Sequence, residues 1–122
     1  MQTNILEYAM IKVSVTTASG IVPIEGATVT VSYDKIPGMK EAEKQIMITD
    51  AGGCTGTFKI PIKRAMIGGR RVDFPRRAEC NVEVKADGYV TTRARSVHLF
   101  PEVTVMSSFD LIQSSAFNKL EA

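Results

Sequence analysis

A run of basic residues is the part of this sequence whose side chains could best bind a ligand. Residues 59–77 carry a local net charge of +6, although the whole chain has a net charge of only +2. Arginine binds phosphate and carboxylate groups through a planar fork of N–H donors, and Gly68 and Gly69 would let a loop wrap around an anion. We predict a long loop at residues 61–78, a setting in which binding residues are common. The candidate anion- or partner-binding residues are Lys63, Arg64, Arg70, Arg71, Arg76 and Arg77.

The ligand of this arginine-rich segment, residues 59–77, stays open between wall polymers, nucleic acid and an acidic patch on a partner protein. Only Phe74 supplies an aromatic ring within the run of cations, which disfavours single-stranded nucleic acid. The small net charge of the chain disfavours a duplex binder. The simpler alternative is a solvated charged loop, partly paired with Glu41 and Glu43.

Residues suited to catalysis are scarce. The chain has a single histidine, His98, whereas nucleophilic catalysis usually needs a base and an orienting carboxylate beside the nucleophile. A lone histidine near the end of a strand is more often a surface residue than a base. Four acidic residues fall in separate turns, where turn capping explains them: Glu25, Asp50, Asp73 and Asp87. We therefore predict that the chain is not an enzyme and holds no cofactor.

The two cysteines, Cys54 and Cys80, are not a metal motif, because neither has a second ligand at metal-binding spacing. They form either a disulfide or two buried thiols. No secretory signal is visible, since the first basic residue is Lys12 and residues 1–9 include polar side chains. No run approaches the length of a membrane span. This predicts free thiols, no membrane span, and a cytoplasmic location or a spore or envelope location reached by another route.

Alternation of apolar and polar residues predicts the elements that would carry these side chains. Residues 80–86 alternate between an apolar and a polar set, which is typical of a strand buried on one face. Turn signals such as Asp87–Gly88 separate the alternating runs. Seven strands are predicted, at residues 11–16, 27–33, 45–49, 55–60, 79–86, 91–99 and 103–111.

Short strands with regular turns predict an all-β fold, a seven-stranded antiparallel Greek-key sandwich. One domain is expected at residues 10–112, with an N-terminal extension at 1–9 and a C-terminal tail at 113–122. Apolar residues of the extension, such as Ile5 and Tyr8, either add a strand, cover an edge or form a contact in a homo-oligomer. Arg93 and Arg95 lie on one face of a strand, where like charges deter edge pairing or extend the basic surface.

Several motifs follow one another along the chain: a strand at residues 11–15 leads to P-I-x-G-A-x-V-x-V at 23–31, T-D-x-x-G at 49–53 and A-x-G-Y at 86–89. This series resembles the carboxypeptidase regulatory-like domains, whose fold is transthyretin-like (prealbumin-like). Residues 97–104 resemble a subgroup that accompanies peptidoglycan-binding modules in spore-forming bacteria. Hydroxyisourate hydrolases have a similar fold, but they need several histidines and a Tyr-Arg-Gly-Ser ending, which this chain lacks.

The resemblance implies a non-catalytic accessory module with a structural or protein-interaction role in a cell-envelope or spore-associated assembly. The alternative is a module that binds a polyanion or a glycan through the arginine-rich segment. The expected partner is a protein or a cell-wall polymer rather than nucleic acid, and a homo-oligomer stays open.

Overall fold

The computed structural model of this chain describes residues 2–34, 42–67, 70–71 and 78–114. Every secondary-structure element within these ranges is a β-strand, which agrees with the predicted all-β fold. The strands are β1 (Gln2–Thr17), β2 (Val22–Pro23), β3 (Thr28–Asp34), β4 (Ala42–Ile48), β5 (Phe58–Ile67), β6 (Arg70–Arg71), β7 (Ala78–Lys85), β8 (Thr92–Leu99) and β9 (Thr104–Leu111).

The strands form two sheets that pack as a sandwich. The first sheet has the order β2-β1-β5-β6, with β9 on the other side of β1. The second sheet has the order β4-β3-β7-β8, so β4 and β8 are its edge strands. The described residues therefore contain nine strands instead of the predicted seven, because two short strands, β2 and β6, pair at the margins of the first sheet.

Strand β1 connects the two halves of the first sheet. Its residues 2–11 pair antiparallel with β5, and its residues 10–17 pair in parallel with β9. This parallel pair departs from the antiparallel sandwich expected from the sequence. A parallel pair needs a long crossover connection, and here the rest of the sandwich supplies it. The apolar residues expected in an N-terminal extension instead continue β1, which begins at Gln2.

The alternation predicted from the sequence fills the space between the sheets. Side chains of one phase are buried, and those of the other phase face outward. Phe58 and Ile60 from β5 join the predicted core positions of the other strands. The buried apolar residues are Ala9, Ile11, Val13, Val15, Ile24, Ala27, Val29, Val31, Tyr33, Phe58, Ile60, Cys80, Val82, Val84, Leu99, Phe109 and Leu111.

Strand β5 corrects the prediction of a long loop at residues 61–78. The strand continues through Pro61 to Ile67, since each of its residues pairs with the N-terminal half of β1. Proline costs a strand little where no second strand pairs at its position, and within the described ranges β6 pairs with β5 only at Met66 and Ile67. The sequence interpretation ended this strand at Ile60, because pairing with β1, which is distant in sequence, is not visible in the local pattern.

The turn after β4 is built as its sequence predicts. The Asp50 Oδ1 atom accepts hydrogen bonds from the backbone N–H groups of Gly52 (2.9 Å) and Cys54 (3.0 Å). Gly53 has a φ of 77°, and a Cβ there would collide with the carbonyl oxygen of Val15. The Val15 N–H donates to the Gly53 carbonyl over 2.7 Å. This turn therefore fastens the second sheet to β1 of the first.

Both cysteines are free thiols. Cys80 is buried on β7, and burial raises the pKa of its thiol to about 11. Cys54 is half-buried in the turn after β4. The prediction of thiols rather than a disulfide is confirmed, although only Cys80 is buried.

Candidate functional site

The arginine-rich segment lies partly on strands of the first sheet. Lys63 and Arg64 occupy positions on β5 opposite Leu6 and Ile5 of β1. The two-residue strand β6 consists of Arg70 and Arg71, which pair with Ile67 and Met66.

The register therefore brings four of the six predicted site residues to one end of the first sheet. Arg76 and Arg77, the other two, lie outside the described residues. The predicted anion-binding set stays a prediction, but its backbone is strand rather than loop as far as Ile67.

The outward side of the first sheet carries two further cations besides the predicted site residues. Lys12 and Lys59 are both exposed, and the Lys59 Nζ atom lies 5.6 Å from the centre of the Tyr8 ring. A lysine ammonium at this distance is attracted by the electron-rich face of the ring. The pair therefore holds a cation over an aromatic surface that is itself partly open to solvent.

Two methionines join this surface through the strand register. Met10 lies opposite Lys59 of β5, and Lys12 lies opposite Met106 of β9. Met106 is 58% exposed, whereas Met10 is half-buried. We call the set Tyr8, Met10, Lys12, Lys59 and Met106 the cationic face.

The turn before β9 is fixed beside the cationic face by two backbone hydrogen bonds. The Glu102 N–H donates to the Tyr8 carbonyl (2.9 Å), and the Met10 N–H donates to the Val103 carbonyl (3.2 Å). Val103 is exposed, so it extends the apolar part of the surface. The whole region is suited to contact with a partner that combines apolar and acidic groups, since lysines are strong donors to carboxylates and methionine packs adaptably.

Sequence reasoning did not assign this face as a site. It used Lys12 in the argument about a secretory signal, and it left the role of Tyr8 open. The outward phase of β1, β5 and β9 could be read from alternation, but their adjacency depends on pairing between residues that are distant in sequence.

A cleft of about 780 Å³ opens at the end of the sandwich where two predicted turns meet. One wall comes from residues 23–28 and the other from residues 85–91, with Glu25, Lys85, Asp87 and Tyr89 among the lining residues. These are the P-I-x-G-A and A-x-G-Y segments, so two motifs that appear separate in the sequence border one cavity. Gly26 and Gly88 have φ values of 83° and 84°, a backbone region that glycine adopts readily, and for Gly88 this agrees with its predicted turn.

The described acidic residues and the histidine do not all meet at one site. Glu25 and Asp87 line the cleft, while Asp50 caps the turn after β4. His98 is exposed on β8, where its Nδ1 atom lies 3.8 Å from Glu79 Oε1. Asp73 lies outside the described residues. Within the described ranges, no group of three or more His, Cys, Asp or Glu residues could hold a metal ion. No helix in the same ranges is long and apolar enough to cross a membrane.

Comparison with known proteins identifies relatives in fold. Catechol 1,2-dioxygenase of Acinetobacter radioresistens matches with a TM-score of 0.55 and 14% identity, over 89% of this chain and 53% of that one. The 3-chlorocatechol 1,2-dioxygenase of Rhodococcus opacus 1CP matches with a TM-score of 0.53 and 11% identity, over 88% and 60%. This chain thus spans little more than half the length of those enzymes. No protein-family profile and no curated protein matches the sequence.

The likeness overturns the prediction that this chain is not an enzyme. That prediction was based on the scarcity of residues suited to catalysis, with His98 as the single histidine, and a similar fold is present in two dioxygenases. The fold therefore gives no ground for excluding catalysis. At these identities the likeness concerns the fold alone.

Proposed function

We propose that this chain is an accessory β-sandwich module that binds a partner protein through the cationic face of its first sheet. The observation that carries the proposal is the placement of two exposed lysines, Lys12 and Lys59, beside the exposed apolar groups of Tyr8 and Met106. Exposed apolar surface bordered by polar groups is typical of a protein-binding site.

The charge of this surface defines the partner. Lysine beside tyrosine and methionine favours a surface that offers carboxylates around apolar side chains. The sequence resemblance supports a cell-envelope or spore-associated assembly as the setting. The partner we propose is accordingly an acidic protein surface in such an assembly.

Two synthetic peptides would test this proposal, one alternating Glu with Leu and one alternating Glu with Ser at the same length and charge. We expect the Glu–Leu peptide to bind at least about fivefold more tightly, because burying leucine against methionine contributes about 1 kcal/mol or more. Equal affinities measured by calorimetry would contradict the proposal, since charge alone would then account for binding.

Variants locate the surface. The substitution Lys59→Gln should weaken binding of the Glu–Leu peptide about two- to fivefold, the effect of one exposed ion pair. The matched control is Lys85→Gln, which removes one exposed lysine from the second sheet. If both variants weaken binding equally, the cationic face is not the contact surface.

The register of β5 and β6 supports a second candidate, binding of a polyanion or glycan. It brings the backbone positions of Lys63, Arg64, Arg70 and Arg71 to one end of the first sheet. Polyanion binding should weaken steeply as salt rises, because cations that contact a polyanion release its counterions.

Pull-down on purified peptidoglycan and on polyphosphate across a salt series separates the two candidates. The double substitution Arg70→Ala/Arg71→Ala should reduce polyphosphate binding and flatten its salt dependence, while Glu–Leu peptide binding changes little. Unchanged binding to both polymers would eliminate the polyanion candidate.

A further inference from the structure

The edge strand β4 exposes an apolar surface that is separate from the cationic face, because β4 belongs to the second sheet. Ile46 is 62% exposed and Ile48 is 65% exposed. Both lie on the outward side with Lys44, while Met47 is half-buried and packs against the core. Large aliphatic side chains on an edge strand favour pairing with another strand.

The backbone of β4 is oriented for such pairing. Thr49, just after the strand, donates its N–H to the Ala27 carbonyl over 3.0 Å. In an antiparallel pair, hydrogen bonding to the neighbour alternates from residue to residue. The N–H and C=O groups of Lys44, Ile46 and Ile48 therefore point to the side away from β3. Within the described ranges, no strand pairs on that side.

The occupant follows from the order of the outward residues. Lys44, Ile46 and Ile48 lie outward on the strand, and the exposed Asp50 follows at the start of the turn, so the order along the chain is cation, apolar, apolar, anion. A second copy that runs antiparallel presents the reverse order, so each cation meets an anion and each isoleucine meets an isoleucine. Self-complementarity of this kind is what a two-fold interface requires.

We propose that two copies of this chain pair through β4, antiparallel, with Ile46 of each copy opposite Ile48 of the other. Met47 then lies at the two-fold axis, and Lys44 lies near the turn of the second copy that begins at its Asp50. The four isoleucines form one cluster on the outer side of a continuous sheet. Cross-strand pairs of apolar and of oppositely charged residues both stabilise a sheet.

The contact is small, because it involves one strand of seven residues from each copy. Interfaces below about 1,200 Å² generally support weak association. We therefore expect a monomer–dimer equilibrium that depends on concentration between about 1 and 500 µM.

Sedimentation equilibrium of the purified chain tests the dimer, with Ile46→Lys as the disrupting variant. The control is Ile112→Lys, which makes the same change at a similarly exposed position after β9 of the first sheet. We expect dimers for the wild type and for Ile112→Lys, and monomers for Ile46→Lys. Matching thermal unfolding curves would show that both variants stay folded. A monomeric wild type would leave β4 to a strand of another protein and would overturn the proposal, as would an Ile46→Lys variant that still dimerises.

Cross-linking tests the register, in a Cys54→Ser background that leaves only the buried Cys80. A mixture of Ile46→Cys and Ile48→Cys chains should form a mixed disulfide, because opposite residues of an antiparallel pair lie within disulfide reach. Each variant alone should cross-link far less. Strong cross-linking of Ile46→Cys with itself would contradict the proposed register.

Discussion

The two edge strands of the second sheet, β4 and β8, differ in how regularly they pair with their neighbours, and therefore in how readily a further strand could pair with them. Strand β8 pairs irregularly with β7, with a register shift between Cys80 and Val82, and Ser96 has a φ of 56°. Strand β4 pairs with β3 through seven consecutive residues without a shift. A bulge twists an edge away from further pairing, whereas a regular strand is open to it.

The two edges also differ in the charge of their outward side chains and in the contacts of the chain beside them. On β8, the Arg93 Nε atom donates to Glu83 Oε2 over 2.6 Å. The chain just before β8 is covered by the chain after β9, because the Val90 N–H donates to the Ile112 carbonyl over 2.8 Å. Strand β4 has Ile46 and Ile48 at the corresponding outward positions.

Among the residues that the structure describes, the contrast indicates that the β8 edge is less open to further pairing than the β4 edge. A sheet that protected both edges would be expected to stay monomeric, and a sheet that protected neither would tend to aggregate. Four substitutions, ordered by the size of the expected effect, test this difference.

Thr49→Val should have the largest effect, because Thr49 anchors the end of β4. Its buried hydroxyl donates to the Ile24 carbonyl (2.6 Å) and accepts from the Ala27 N–H (2.9 Å). Valine keeps the shape and leaves both groups without this partner, which should lower the free energy of unfolding by about 2–3 kcal/mol in urea denaturation. The control Thr91→Val, at an exposed position before β8, should change it by less than about 0.5 kcal/mol. A loss from Thr49→Val as small as the control's would show that β4 does not depend on this hydroxyl.

Lys44→Glu should weaken self-association about tenfold, which equals about 1.4 kcal/mol. Because the interface is two-fold, the substitution converts two Lys44–Asp50 attractions into repulsions. Each is worth up to about 1 kcal/mol at an exposed site. Sedimentation in low and high salt measures the change, and high salt should reduce it. Lys85→Glu makes the same charge change on β7, away from the edge, and an equal effect there would argue against the proposed contact.

Asn81→Ala should destabilise the bulge of β8. The Asn81 Oδ1 atom accepts a hydrogen bond from the Ser96 N–H over 3.0 Å at an exposed site. Its loss should lower the free energy of unfolding by about 0.5–1 kcal/mol and speed hydrogen exchange at the Ser96 amide. Ser108→Ala on β9 is a control that should leave this amide unchanged. Unaltered exchange in Asn81→Ala would show that the backbone alone maintains the bulge.

Arg93→Gln should have the smallest effect on stability and a clear effect on titration. The hydrogen bond from Arg93 lowers the pKa of Glu83, with a smaller contribution from Lys85. Because the folded pKa is lowered, the stabilisation is complete above the unfolded pKa and is lost as the pH falls through the folded value. In Arg93→Gln, NMR titration should place the Glu83 pKa closer to its ordinary value. An unchanged pKa would mean that Arg93 is not the dominant cause.

Alternation in the sequence predicted much of the fold because burial follows strand phase. Val29, Val31, Val82 and Val84 were expected in the core and are buried there. Local turn chemistry was equally readable, and Asp50 caps its turn as predicted. These features depend on neighbours within a few residues, which is the range over which a sequence pattern carries information.

The positions of the candidate sites were harder to predict from the sequence. Lys63 and Arg64 were assigned to a loop, and pairing with β1 keeps them in a strand. Arg93 was expected either to deter edge pairing or to extend the basic surface, and it lies on β8, an edge strand of the second sheet. Whether its charge deters pairing stays a prediction.

The sequence by itself determined which residues alternate, where the turns fall and that two sheets would enclose one core. Only the tertiary structure decided which strands lie at the edges. The segment Ile46-Met47-Ile48 is apolar in both phases, so its pattern cannot say which side is buried. Packing buries the Met47 side and leaves Ile46 and Ile48 outward on an edge strand. Edge position results from pairing between distant segments, and the residues of β4 alone do not encode it.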